Sequence, residues 1–147
     1  MFLKLSDKVW ASPQIGIAEV ATAAAQGIGM IINNRPEDES ADQTSGSKIE
    51  AAARAAGMAY VAIPVTHAGF SESQVTAMAA ALRQTDAPVL AYCRSGTRST
   101  WLWALAEASQ GTDPAELARQ AARAGYDLSN IAPMLDALAA KARSTGG

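Results

Sequence analysis

The apolar run Pro88-Val89-Leu90-Ala91-Tyr92 leads without a break into Cys93-Arg94-Ser95-Gly96-Thr97-Arg98-Ser99. No other stretch constrains the fold as much. A short apolar run bounded by turn formers reads as a strand buried on both faces, and such a strand needs a layer packed on each side. A turn with a glycine and two arginines, entered from that strand and left into a helix, gathers backbone N–H groups at its centre. The positive end of the helix adds to the same field. Cysteine reacts as its thiolate, so this is a place for anionic sulfur chemistry.

The remainder of the chain alternates short apolar runs with Ala-rich segments, which predicts an α/β fold. Phe2 to Leu5 and Val9 to Ala11 read as a strand pair around Asp7-Lys8. Ile17 to Gln26 reads as a helix stopped by Gly27, and Gly29 to Asn33 as a buried strand. Glu37 to Gly46 is acidic and aperiodic, the pattern of a surface loop. Ser47-Lys48-Ile49-Glu50 is a capping box for a helix reaching Ala56, ahead of a strand from Ala59 to Ile63. Ser71-Glu72-Ser73-Gln74 is a second capping box, with Phe70 and Val75 as its hydrophobic staple, for a helix to about Gln84.

After the cysteine loop, helices are expected over about Ser99 to Ser109, from Asp113-Pro114-Ala115-Glu116 onward, and over about Pro133 to Ala142. This order predicts a three-layer, mostly parallel central sheet with helices on both faces and active residues at the C-terminal strand ends. Residues 1–147 read as one domain, with a frayed tail over 144–147. Trp101 and Trp103 point to different sides of their helix, and Met30, Met58, Met78 and Met134 fall on apolar segments and read as core.

Composition removes several function classes. Net charge is −2 and charged residues make up 18% of the chain, so no basic face for nucleic acid or acidic membrane is present. The N-terminus turns polar at once and does not read as a signal peptide, and the run from Val20 to Ile32 is too short to span a bilayer. Cys93 is the only cysteine, which excludes an internal disulfide and a Cys-only metal site. Neither a metal nor a cofactor is expected. A free thiol suits a reducing compartment, so the cytoplasm is the expected location.

Within the loop each residue type has a chemical reason. Gly96 permits a backbone angle or close approach that other residues resist. Arg98 offers a planar fork to an oxyanion, and Arg94 adds a second positive charge. Ser95 and Thr97 lie beside the anion-binding centre, and Ser99 stands either as a donor to the sulfur or as a helix cap. Arg35, after Asn33-Asn34, is either a pocket-rim anion contact or part of a turn held by the asparagine side chains. A buried, inert cysteine would leave this company unexplained. Cys93 as nucleophile with Arg98 as clamp accounts for it.

A strand, cysteine loop, arginine and helix in this order resemble both the cysteine-dependent protein phosphatases and the rhodaneses. Phosphatases of that type have five residues between Cys and Arg, whereas Cys93 and Arg98 are separated by the four residues Arg94 to Thr97. The six-residue loop resembles the rhodanese pattern, in which the cysteine carries sulfane sulfur as a persulfide. Val9-Trp10-Ala11-Ser12-Pro13-Gln14, Ile31 to Glu39, Tyr60 to Val65 and Leu90 to Ser99 together resemble a bacterial phosphatase-like domain family. Its members occur alone or fused to β-lactamase-fold hydrolases, and they have been labelled both sulfurtransferase and phosphatase. The resemblance implies the cysteine-dependent phosphatase fold and a β-lactamase-fold hydrolase as a pathway partner.

The two chemistries differ in their need for an acid. A phosphatase protonates its leaving alkoxide or phenolate, and the resemblance puts an Asp for that in the loop after the strand ending near Ile63. Here Ile63-Pro64-Val65-Thr66-His67-Ala68-Gly69 holds no carboxylate. His67 stands there instead, either as the acid or as an exposed loop residue without a role, and Asp38, with Glu37 and Glu39 beside it, is the next candidate. Sulfite or a thiolate leaves without protonation. The leading expectation is therefore a sulfurtransferase that passes sulfur through a Cys93 persulfide from an anionic donor such as thiosulfate or a persulfide to a thiol acceptor. The alternative is a phosphatase that splits a phosphate ester through a Cys93 phosphocysteine. A redox or anion sensor without turnover is the third reading.

Overall fold

The computed structural model describes residues 1–145. Five strands form one sheet: β1 (Leu3–Lys4), β2 (Val9–Ser12), β3 (Met30–Asn33), β4 (Ala59–Ala62) and β5 (Val89–Tyr92). Their order across the sheet is β1-β2-β5-β3-β4. Only β1 runs antiparallel, pairing Leu3 with Ala11 and Lys4 with Trp10. β5 lies at the centre, with Leu90 opposite both Trp10 of β2 and Ile31 of β3.

Strand alternation divides the core in two. Met30 and Ile32 of β3 and Val89 and Ala91 of β5 face one side, where α3 (Glu72–Arg83), α4 (Thr97–Ser109), α5 (Pro114–Arg123) and α6 (Ala132–Thr145) pack. Ile31, Leu90 and Tyr92 face the other, covered by α1 (Ile17–Ala25) and α2 (Gly46–Ala55). The result is the expected three-layer α/β architecture with a mostly parallel sheet. The helix α4 is buried nearly all round, with Leu102, Trp103, Leu105, Ala106 and Ala108 at most 1% exposed. That is why its sequence has no polar stripe.

Local signals explain most of the boundaries. Ser71 accepts from the Gln74 amide while the Gln74 side chain accepts from the Ser71 amide, closing the capping box expected for α3. Asp113 caps α5, with Pro114 at its first position. Three details differ. The N-cap of α2 is Ser45 rather than Ser47, because Ser45 accepts from the Lys48 amide and Glu37 reaches across to accept from the Gly46 amide. The helix α4 begins at Thr97, two residues before the expected start, since Gly96 can take the left-handed conformation that turns the chain into it. The last helix continues through Ser144 to Thr145 instead of ending near Ala142, so only Gly146 and Gly147 of the expected frayed tail lie outside the described residues. Trp103 is buried as core while Trp101 packs on Phe70, but Met134 is 39% exposed and is not core.

Leu90 is fully buried in the central strand. Leu90→Ala should lower unfolding free energy by about 3 kcal/mol, through lost burial and a residual cavity. Urea unfolding followed by Trp fluorescence measures it.

Candidate active site

The end of β5 delivers Cys93 to the floor of a loop at the C-terminal edge of the parallel strands. Its sulfur is fully buried, and the Gly96 amide donates to Sγ at 3.2 Å. Gly96 itself sits at φ 92° and ψ −11°, where residues with a Cβ are strained. Close approach forbids a side chain there as well: a Cβ on Gly96 would come within 2.1 Å of the Tyr126 hydroxyl oxygen. The first turn of α4 follows directly, and its N–H groups lack intrahelical acceptors.

Arg98 reaches back from that first turn. Its Nη1 donates to Glu39 Oε2 at 2.8 Å and to the Val65 carbonyl at 2.7 Å, and Nη2 donates to Glu39 Oε1 at 2.9 Å. Three of its N–H donors are thus occupied, out of the five a guanidinium carries. The Glu39 carboxylate, above all, raises the pKa of Arg98, and the nearby Cys93 sulfur contributes further. The remaining donors belong to a guanidinium held beside the sulfur, ready for an oxyanion bound there.

Glu39 has a second partner. Arg35 Nε donates to its Oε1 at 2.9 Å, while Arg35 Nη1 and Nη2 donate to Gln14 and Ser40. Hydrogen bonding to Arg98, with Arg35 adding to it against the cost of burial, lowers the Glu39 pKa from 4.5 to about 2. The acidic segment read as a solvated surface loop therefore turns one carboxylate inward. Arg35 is 5% exposed and supports Glu39, and its amide donates to Asn33 Oδ1 at 2.9 Å, the asparagine-held turn rather than a rim contact.

The other expected residues are placed less centrally. Arg94 is exposed beside the loop. The Ser95 hydroxyl donates to Thr97 Oγ1 at 3.1 Å, so these two face each other. Ser99 is buried and donates its only hydroxyl hydrogen to Asn34 Oδ1 at 2.8 Å, which removes it as a donor to the sulfur. Asp38 is exposed in a left-handed conformation at φ 61°. His67 is exposed on the loop past Val65 and makes no hydrogen bond to a described residue. Neither comes together with Cys93. Among the described residues no group of three or more His, Cys, Asp or Glu could hold a metal ion, and no helix is long and apolar enough to cross a membrane.

Tyr126 was not singled out by the sequence. Its hydroxyl donates to the Ser95 carbonyl at 3.1 Å, over the back of the cysteine loop. The signal that finds it is Arg123-Ala124-Gly125-Tyr126, where a glycine ends α5 and the next residue is thrown back onto the fold.

A parallel sheet with a cysteine loop at the end of its central strand, entering a buried helix and clamped by an arginine, defines the fold class of the cysteine-dependent protein phosphatases. Comparison with solved structures agrees. A candidate phosphatase from Neisseria meningitidis superposes with a TM-score of 0.81 at 35% sequence identity, covering 92% of this chain and 96% of that one. The active form of Tk-PTP superposes at 0.75 with 15% identity, over 95% of this chain and 97% of that one, a likeness of fold alone. Residues 2–111 match the family model of the phosphatase-like domain of beta-lactamase hydrolase-like proteins, and the chain belongs to that family. The beta-lactamase hydrolase-like protein of Agrobacterium fabrum is 34% identical over 109 residues, which are 74% of this chain and 25% of that protein. The chain therefore spans about a quarter of the length of the curated relatives it matches.

The depressed pKa of Glu39 has a consequence in acid. Its ion pair stabilises the fold fully above the ordinary value of 4.5 and is lost as pH falls towards about 2. The melting temperature of the wild type should drop across that window, and Glu39→Gln should show a shallower drop there from a lower plateau at neutral pH. Calorimetry between pH 2 and 7 measures both.

Proposed function

We propose that this domain is a cysteine-dependent phosphatase for phosphate esters whose leaving group is already a stable anion. The observation that carries the reading is the Cys93 sulfur held by the Gly96 amide beside a guanidinium fixed by Glu39, on a phosphatase fold. The phosphate of the substrate takes the remaining Arg98 donors and the amides at the start of α4. Sγ attacks phosphorus; the P–S bond forms as the P–O bond breaks, and the oxygen leaves with the electron pair. Water then attacks the phosphocysteine, the P–S bond breaks, phosphate departs and the thiolate returns with release of a proton to solvent. Arg94, exposed in the cysteine loop, offers a second positive charge to an anionic substrate.

The choice of leaving group follows from the absence of a poised acid among the described residues. Glu39 pairs with Arg98, and at neutral pH it is ionised and has no proton to give. Esters of acidic phenols need none. The same feature favours a second reading, sulfur transfer through a Cys93 persulfide, because sulfite and thiolates also leave unprotonated. There, Sγ attacks the outer sulfur of thiosulfate, an S–S bond forms, the donor S–S bond breaks and sulfite takes the electron pair. A thiol acceptor then removes the sulfur. In either reading the substrate is a small anion, the domain works in a reducing compartment such as the cytoplasm, and a β-lactamase-fold hydrolase is the expected pathway neighbour.

A series of aryl phosphates tests the proposal. kcat/KM should fall steeply as the leaving phenol becomes less acidic, Cys93→Ser should reduce turnover to background, and Arg98→Lys should reduce it by about 100-fold or more. His67→Ala should stay within about twofold, since a true general acid contributes far more. Background rates for every ester, with intact protein gaining one sulfur atom on Cys93 from thiosulfate, would replace the phosphatase reading with sulfur transfer.

A further inference from the structure

Gly96 lends Cys93 its amide through a peptide plane whose far end is also held. In a trans peptide the C=O of one residue and the N–H of the next point in opposite directions. The Gly96 N–H points at Sγ at 3.2 Å, and the Ser95 C=O of the same plane points away, where the Tyr126 hydroxyl donates to it at 3.1 Å. One hydrogen bond therefore sets the direction of the other.

That plane is intrinsically free to turn over. The φ of 92° and ψ of −11° at Gly96 are those of the third residue of a type II turn. The type I turn differs from it mainly by rotation of the central peptide, and glycine accepts both. A flip would carry the Gly96 N–H off the sulfur and turn the Ser95 carbonyl, a partial negative charge, towards it. The hydrogen bond of Thr97 N to Ser95 Oγ, 3.4 Å long, leaves the carbonyl of Ser95 untouched.

Tyr126 is itself firmly placed. Gly125, at φ 95°, follows the C-cap of α5, and two bonds close a Schellman motif: Tyr126 N to Ala121 O at 2.9 Å and Gly125 N to Ala122 O at 3.0 Å. On the other side, Trp101 Nε1 of α4 donates to the Asp127 carbonyl at 3.0 Å. The tyrosine ring lies against Gly96 so closely that no side chain fits between them.

We propose that Tyr126 is a positioning residue that latches the Ser95–Gly96 peptide in the orientation presenting the Gly96 amide to Cys93 and to an oxyanion bound there. The latch lies beyond the residues that match the family model, in the turn after α5. Burial, and secondarily the charge on Cys93, raise the pKa of the Tyr126 hydroxyl, so it keeps the proton it donates through neutral pH. The inference rests on Cys93 as the nucleophile and is indifferent to whether phosphorus or sulfur is transferred.

The test compares wild type with Tyr126→Phe, which keeps the ring and removes only the donor. Alkylation of Cys93 by iodoacetamide at pH 7 should slow by about fivefold, the effect of one hydrogen bond, while the melting temperature moves by less than about 2 °C. The Gly96 amide signal in a 1H–15N spectrum should shift in the variant and move back towards the wild-type position with saturating inorganic phosphate, which selects the unflipped peptide. An unchanged alkylation rate with an unmoved Gly96 signal would overturn the latch. So would slower alkylation accompanied by a general collapse of amide dispersion, which would make Tyr126 a folding residue only. Because both readouts need no turnover, a failure of the proposed phosphatase activity is seen separately, as wild-type protein that alkylates normally and hydrolyses nothing.

Discussion

The two-point ion pair between Arg98 and Glu39 fixes the arginine beside the cysteine loop by tying the first turn of α4 to the loop after β3. Arg98 comes from the first turn of α4, Glu39 from the loop after β3, and the Val65 carbonyl that shares Arg98 from the loop after β4. Without Glu39, Arg35 and Arg98 would be two cations sharing a largely buried space. With it, Arg35 becomes a brace anchored on Gln14 and Ser40, and Arg98 loses its rotational freedom before any substrate arrives. A pair of this kind contributes geometry more than stability, because desolvating the charges cancels much of their attraction. Preorganised charge is what an anion-binding site needs.

The same pair decides what chemistry the site can support. A carboxylate held far below its ordinary pKa cannot act as an acid near neutrality, so Glu39 is spent on fixing the arginine. Ser99 is likewise committed to Asn34, which anchors itself on the Ile63 carbonyl and the Tyr92 carbonyl. What stays available to a substrate is the sulfur, the Gly96 amide, the start of α4 and the free donors of Arg98. In the proposed function that set would bind and attack an anion without protonating a leaving group.

Periodicity and capping made most of the layered fold legible, because strand alternation, the Ser71–Gln74 box and the Asp113-Pro114 start are local events. Cys93, Gly96 and Arg98 were legible for the same reason: they share one strand-turn-helix unit. The inward turn of Glu39 was not. Three acidic residues in a row look alike until Arg98, 59 residues further on, selects one of them. Tyr126 is similar, since its partner Ser95 lies 31 residues away and only the Gly125 turn hints that the ring is redirected. Ser45 displaced Ser47 as the cap of α2 once Glu37 had bound the Gly46 amide, another contact across the loop. Of the two readings left open for Arg35, the turn held by an asparagine side chain is the one seen, with the Arg35 amide donating to Asn33 Oδ1 at 2.9 Å and Glu39 and Ser40 engaging its guanidinium.

In the proposed function Cys93 attacks the substrate and carries the transferred group. Rapid mixing with an activated aryl phosphate, quenching during turnover, and peptide mass spectrometry locate that group directly. A phosphoryl group should appear on Cys93 within the first turnover and be absent in Cys93→Ser. Turnover with no phosphorylated Cys93 at any quench time, or with the label on another side chain, would contradict it.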